Sequence, residues 1–183
     1  MTRKQLRQLV EIAKRARRGA YSPYSRYSIG AAVLTESGRM FSGANVENAS
    51  YGLSICAERV AIFNAVTRGE KSLKAICVVG KKARPCGACR QVMLEFSAKD
   101  TQLICVDVGT DGKRDLVTLT PMYKVLPMPF DPLDAGLLPP NPQNLLKRRA
   151  RSTHRSKGRR SPLRKRSTTA LRGPRFQKRR KGG

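Results

Sequence analysis

Long apolar runs, histidine beyond a single residue and, over one part of the chain, acidic residues are what this 183-residue sequence lacks. No run of about 18 apolar residues occurs, so nothing in it reads as a membrane-spanning helix. The start, Met1-Thr2-Arg3-Lys4-Gln5-Leu6, leads into an amphipathic charged pattern without the apolar h-region of a secretory signal, and the expectation is a cytoplasmic protein. The one histidine, His154, sits in a basic stretch and is a poor metal ligand. Cysteines number five, an odd count with one close pair, which suits a reducing compartment and metal binding better than a disulfide framework. Residues 147–183 hold 17 Lys/Arg and no Asp/Glu, whereas residues 1–146 hold 21 and 12. Most of the net charge of +26 therefore belongs to the tail and says little about the globular part. Phe176 is the lone aromatic of that tail, so base stacking is not indicated there.

Taken in order, Leu6, Leu9, Val10 and Ala13 recur at helical spacing before Gly19, which predicts an amphipathic helix over 3–18. Tyr21-Ser22-Pro23-Tyr24-Ser25-Arg26-Tyr27 reads as a loop, and a loop that enters a strand is a place to carry a ring that stacks on a ligand. An apolar strand over 27–35 and a return over 40–44, joined by Glu36-Ser37-Gly38-Arg39, form a hairpin. The polar segment Asn45 to Gly52 follows, with no period of its own, and then a helix over 53–67 with Ser54 as its candidate N-cap. Ala75-Ile76-Cys77-Val78-Val79 is a continuous apolar strand of the kind buried on both faces. A third helix is expected over 87–97, then strands at 103–106 and 116–119. The Asp111-Gly112 turn between those strands allows an antiparallel hairpin but no helical crossover. Five strands interleaved with three helices predict a layered α/β domain on a mixed sheet. Six prolines between 127 and 142 break regular structure, and the Arg/Lys/Ser-rich residues beyond are expected to be disordered when alone.

The chemistry concentrates in Cys56-Ala57-Glu58-Arg59 and Pro85-Cys86-Gly87-Ala88-Cys89-Arg90. Three thiolates can hold Zn²⁺ with the fourth position left to water, the arrangement of a catalytic rather than a structural zinc. Both cysteine segments fall at predicted helix starts, where the partial positive charge lowers a thiol pKa. A Cys-x-x-Cys alone is also a redox pair, but a redox motif needs neither a third cysteine two residues ahead of a glutamate nor a proline before its first cysteine. Cys77 and Cys105 lie in apolar strands and read as core thiols. Zinc with three thiolates carries a formal charge of −1, so a compensating cation is expected, and Arg59 and Arg90 are the candidates to donate to sulfur.

These residues, with Ser22-Pro23-Tyr24-Ser25 and Asn45-Val46-Glu47-Asn48-Ala49, resemble the cytidine deaminases of the free-nucleoside, homotetrameric type, from the first helix to about Phe130. The resemblance implies a three-layer α/β/α fold on a five-stranded mixed sheet whose last two strands are antiparallel. It implies zinc-dependent deamination of cytidine and deoxycytidine to uridine and deoxyuridine, one Zn²⁺ per subunit on Cys56, Cys86 and Cys89, and Glu58 as the proton shuttle. It further implies Asn45 and Glu47 as contacts to the ribose 3′-hydroxyl, the Ala57 backbone N–H as a donor to the pyrimidine carbonyl, and Tyr27 beside the base where the family usually has phenylalanine. Phe130 matches an aromatic that reaches a neighbouring subunit's site, and Tyr51 a residue near the subunit boundary, as expected for a homotetramer with shared active sites.

The domain expectation is a deaminase domain over 1–138 and a Pro-rich linker and basic tail over 139–183. Two other functions compete. One is an RNA or DNA cytosine deaminase, disfavoured by Asn45 and Glu47, by the moderate charge of the core and by the expected final hairpin. The other is a nucleic-acid-binding protein that uses residues 147–183 for non-specific phosphate contacts.

Overall fold

The computed structural model of the chain describes residues 1–109, 114–132 and 135–137. Helix α1 (Arg3–Arg17) starts at a capping box: the Thr2 side chain accepts from the Gln5 N–H, and the Gln5 side chain accepts from the Thr2 N–H. Such reciprocal pairing satisfies two of the donors that every helix start leaves free. Strands β1 (Gly30–Thr35) and β2 (Met40–Ala44) form the expected hairpin, and α2 (Ala57–Val66) follows a short 3₁₀ turn at Tyr51–Leu53. Then come β3 (Leu73–Gly80), α3 (Gly87–Glu95), β4 (Ser97–Asp107) and β5 (Leu116–Pro121).

The sheet runs in the order β2-β1-β3-β4-β5, with β3 and β4 parallel and every other pair antiparallel. Two connections cross over the sheet: α2 carries the chain from β2 past β1 to β3, and α3 joins the parallel pair β3 and β4. The expected five-stranded mixed sheet with an antiparallel final pair is thus present. The Asp111-Gly112 turn and the tail beyond 137 lie outside the described residues.

Alternation along the strands separates two cores. Ala32, Leu34, Cys77, Val79, Ile104 and Val106 pack under Leu9 and Ala13 of α1. Ala31, Val33, Ile76, Val78 and Cys105 pack against Ala61, Ile62 and Ala65 of α2 and Met93 of α3. The three layers are therefore α1, the sheet, and the α2/α3 pair. Cys77 and Cys105 are buried in these cores, as the sequence indicated, and burial pushes the Cys77 thiol up to about 12.

Two glycines set how closely the helices approach. A Cβ on Gly30 would stand 2.1 Å from the Ala13 carbonyl oxygen, and one on Gly43 would stand 2.5 Å from the Ala61 nitrogen and 2.8 Å from the Ala57 carbonyl oxygen. Those atoms are helix backbone and cannot swing aside. Gly43 thus allows the first turns of α2, which carry Glu58, to lie directly on the sheet.

Candidate metal centre and substrate pocket

Cys56 and Cys86 are the N-cap residues of α2 and α3, and Cys89 lies in the first turn of α3. The sequence placed Cys56 inside the second helix with Ser54 as its cap; instead Ser54 closes the preceding 3₁₀ turn and Cys56 is itself the cap. The shift has a physical use. Both caps keep extended backbone and neither side chain makes a cap hydrogen bond, which leaves the two sulfurs to face one another at the helix starts. Each cap carbonyl still accepts its helical bond, Cys56 from Val60 and Cys86 from Arg90.

The three sulfurs lie within 4.8 Å of one another, with Cys56 and Cys86 Sγ 4.0 Å apart. Zinc–sulfur bonds of about 2.3 Å at tetrahedral angles set sulfurs about 3.8 Å apart, so the cluster fits one Zn²⁺ with little rearrangement. Its chemistry fits as well. The Cys56 thiol is pulled down to about 5 by the Cys89 S–H that it faces and by the Arg59 guanidinium, against the opposing effect of burial. That same Cys56 contact and burial push the Cys89 thiol up.

Arg59 points its Nη2 at Cys56 Sγ over 3.7 Å, and its buried Nε has no partner among the described residues. Arg90 does not share this role. Its Nε donates to the Pro85 carbonyl at 2.9 Å and its Nη1 to the Val125 carbonyl at 3.3 Å, so it braces the loop ahead of Cys86 against the chain after β5. Glu58, in the first turn of α2, is only 4% exposed. Burial, with the Cys56 thiolate adding to it, pushes its carboxyl up to about 7. A carboxylate poised near neutrality can both take and give a proton.

A cavity of about 340 Å³ opens beside the cluster, lined by Cys56, Cys86, Glu58, Ala57, Tyr27, Asn45 and Glu47 together with Ser25, Ile29, Ser54, Ile55, Val78 and Arg84. That volume lies within the range of small-molecule sites, and a few convergent polar groups on an apolar wall are what such sites present. Ala57 is the first residue of α2, where backbone N–H groups lack intrahelical partners. Asn45 Oδ1 accepts from the Ile29 N–H at 2.8 Å, and its Nδ2 donates to the Tyr27 carbonyl at 3.0 Å. Glu47 accepts from the backbone N–H groups of Tyr24 and Ser25 and from the Ser25 hydroxyl, which holds its carboxyl below the usual range. The two polar residues on the rim therefore also clamp the 24–29 segment that carries Tyr27. Tyr27 is 42% exposed, and its hydroxyl has no side-chain partner among the described residues.

Tyr51 and Phe130 stand apart. They are 76% and 61% exposed and do not line the cavity; Tyr51 meets Tyr24 edge-on, and the Phe130 carbonyl accepts from Gln91 Nε2 at 2.7 Å. Sequence reading passed over Ser25 as the partner of Glu47, although both belong to quoted motifs. It also passed over Arg84, which puts a cation in the cavity wall and donates to the Ala83 carbonyl at 2.7 Å. Its position two residues before Cys86 was the one signal available.

Fold and site together define an α/β/α zinc enzyme in which a buried carboxylate stands beside a three-cysteine centre. The family model described as the cytidine and deoxycytidylate deaminase zinc-binding region matches residues 3–105, and the chain belongs to that family. Among its relatives, cytidine deaminase of Halalkalibacterium halodurans is 52% identical over 98 residues, covering 52% of this chain and 74% of the relative. Cytidine deaminase of Sporosarcina psychrophila is 40% identical over 129 residues, 69% of this chain and 91% of the relative. The crystal structure of cytidine deaminase from Burkholderia pseudomallei matches with a TM-score of 0.63 at 43% identity, over 71% of this chain and all of that one.

Proposed function

We propose that this protein is a cytidine deaminase that hydrolyses free cytidine and deoxycytidine to uridine and deoxyuridine, in pyrimidine salvage. The observation that carries this reading is the single cavity where Cys56, Cys86 and Glu58 meet Tyr27, Asn45 and Glu47. Cys56, Cys86 and Cys89 hold the zinc, which when bound supplies the Lewis acidity that brings the pKa of water toward neutrality. Glu58 takes one proton of the attacking water and delivers it to N3 as oxygen adds to C4 of the pyrimidine, then takes the proton of the C4 hydroxyl and passes it to the departing amine as the C4 carbonyl forms. Water and cytidine thus give uridine and ammonia, and the carboxylate ends as it began. The Ala57 N–H donates to the pyrimidine carbonyl, Tyr27 packs beside the base, and Asn45 and Glu47 use their remaining hydrogen-bonding capacity on the ribose 3′-hydroxyl.

A homotetramer with shared active sites accounts for the apolar residues left exposed. Tyr51 and Leu53 beside the pocket side of the fold, Phe130 after β5, and Leu116, Val117 and Leu119 on the edge strand itself are all exposed. Phe130 and Tyr51 then complete neighbouring sites. Residues 1–138 form the deaminase domain, and residues 139–183 are a linker and basic tail whose 17 cations in 147–183 make non-specific contacts to nucleic acid. A cytoplasmic location suits both parts.

The test is the ultraviolet change when zinc-loaded protein is incubated with cytidine, with deoxycytidine and with a cytidine-containing oligonucleotide. Turnover of the free nucleosides is expected. Preference for the oligonucleotide would overturn the reading and favour a polynucleotide deaminase, against which the antiparallel pairing of β4 and β5 weighs.

A further inference from the structure

The charge of the folded part is unevenly placed. Residues 1–18 carry seven Lys/Arg and one acid, a net +6 of the +9 found in residues 1–146. Nearly all of that charge belongs to α1, on the sheet face opposite the cysteine cluster.

Within α1 the cations are sorted. Leu9 and Ala13 are fully buried against the sheet. On the opposite side Lys4, Arg7, Glu11, Arg15 and Arg18 recur at three- and four-residue spacing and are all exposed, so they form one stripe about 21 Å long. The acids near the stripe are spent on one lysine: Lys14 Nζ lies 3.6 Å from Glu11 and 2.7 Å from Asp115. Arg17 donates its Nε to the Ser28 carbonyl at 2.8 Å. Among the described residues no carboxylate pairs with Lys4, Arg7, Arg15 or Arg18. The stripe ends at a cavity of about 500 Å³ lined by Lys14, Arg17 and Arg18, with Asp115 as its one acid.

We propose that the outer face of α1 is a docking surface for the phosphate backbone of a nucleic-acid strand, separate from the basic tail. Unpaired cations spaced along a helix are the electrostatic footprint of phosphate binding. Residues 3–18 include no aromatic side chain for stacking, so contact along the stripe is to phosphate and independent of sequence. An anionic membrane fits less well, because the apolar face of α1 is already consumed by the sheet and cannot enter a bilayer. Since the stripe and the pocket lie on opposite faces, a bound strand leaves the nucleoside site open.

The test uses the full zinc-loaded chain and a labelled oligothymidylate, with affinity measured by fluorescence anisotropy across a salt series. Each phosphate contact to a single strand contributes about 0.7 to the slope of log affinity against log salt. Replacing Lys4, Arg7, Arg15 and Arg18 by Gln should lower that slope by about 3 while cytidine turnover is unchanged. The control removes equal charge elsewhere, with Lys71, Lys99, Arg114 and Lys124 replaced by Gln, all exposed and off α1. It should change the slope by less than 1. If the fourfold α1 variant misfolds, the pairs Lys4/Arg7 and Arg15/Arg18 are tested separately, each expected to lower the slope by about half as much. An unchanged slope in the α1 variants leaves binding to the tail alone and overturns the proposal, as does an equal drop in the control. Tighter binding to phosphatidylserine vesicles than to the oligonucleotide, lost in the α1 variant, overturns it in favour of a membrane.

Discussion

Replacing Arg59 by alanine tests whether the three-thiolate centre needs a cation beside it. The guanidinium Nη2 stands 3.7 Å from Cys56 Sγ, and its other contact, to the Ser54 carbonyl, is a long 3.5 Å. At that sulfur distance and an effective dielectric of about 20, the bare attraction is about 4.5 kcal/mol, an upper figure before screening and relaxation. Residues that orient or polarise metal ligands typically cost 10- to 100-fold when removed, which is about 1.4–2.7 kcal/mol. The expectation is therefore a loss of that size in zinc affinity or in kcat/KM, with Arg59→Lys retaining part of it. Zinc affinity is measured by competition with a chromophoric chelator, turnover by absorbance, and folding by circular dichroism. A folded Arg59→Ala protein with wild-type zinc affinity and full activity would refute the charge argument, leaving Arg59 as a half-buried packing residue of α2.

Glu58→Gln keeps the shape of the buried side chain but cannot carry a proton; it should retain zinc and lose at least 100-fold in kcat, and equal loss of metal would make the carboxylate structural. Gly43→Ala forces a methyl to 2.5 Å from the Ala61 nitrogen, so α2 must shift with Glu58 on it. Overpacking of this kind costs about 1–3 kcal/mol, read as a lower denaturation midpoint, and wild-type stability would mean the helix sits less firmly than its contacts indicate. Zinc binding needs all three thiols deprotonated and the Cys89 thiol is pushed up, so zinc affinity should fall on going from pH 8 to pH 6, and a pH-independent chelator competition would contradict ligation by that thiolate.

Much of the fold was legible because the sheet is built from unambiguous signals. Ala75 to Val79 reads as a strand buried on both faces, and the structure gives it helices on both sides. Strand ends were less visible: β4 extends back to Ser97 through Lys99 and Asp100, polar residues that pairing rather than hydrophobic pattern recruits, past a register shift against β3. The start of α2 was misread for a related reason. Ser54 is the better cap by residue type, but the bridge that pairs Val46 with Ile55 holds that stretch extended and delays the helix to Ala57. Local propensity lost to a long-range contact.

The same bridge explains why the site reads so clearly in sequence while its supports do not. Val46 links the Asn45/Glu47 loop on one side to Tyr21 and on the other to Ile55, immediately before Cys56. Asn45 and Glu47 are thereby fixed relative to the metal through backbone pairing, and their side chains are free to brace the 24–29 segment from the other direction. Residue types reveal chemistry because thiolates and carboxylates have few substitutes. Positioning is done by backbone N–H and C=O groups that every residue possesses, so it leaves little trace in composition. Substitutions in the Ser22–Tyr27 loop should therefore act on the site through Glu47. Ser25→Ala removes one of its three donors and is expected to raise KM for cytidine more than it lowers kcat. A pure kcat loss would mean that Ser25 serves the chemistry at Glu58 and not the pose of the ribose.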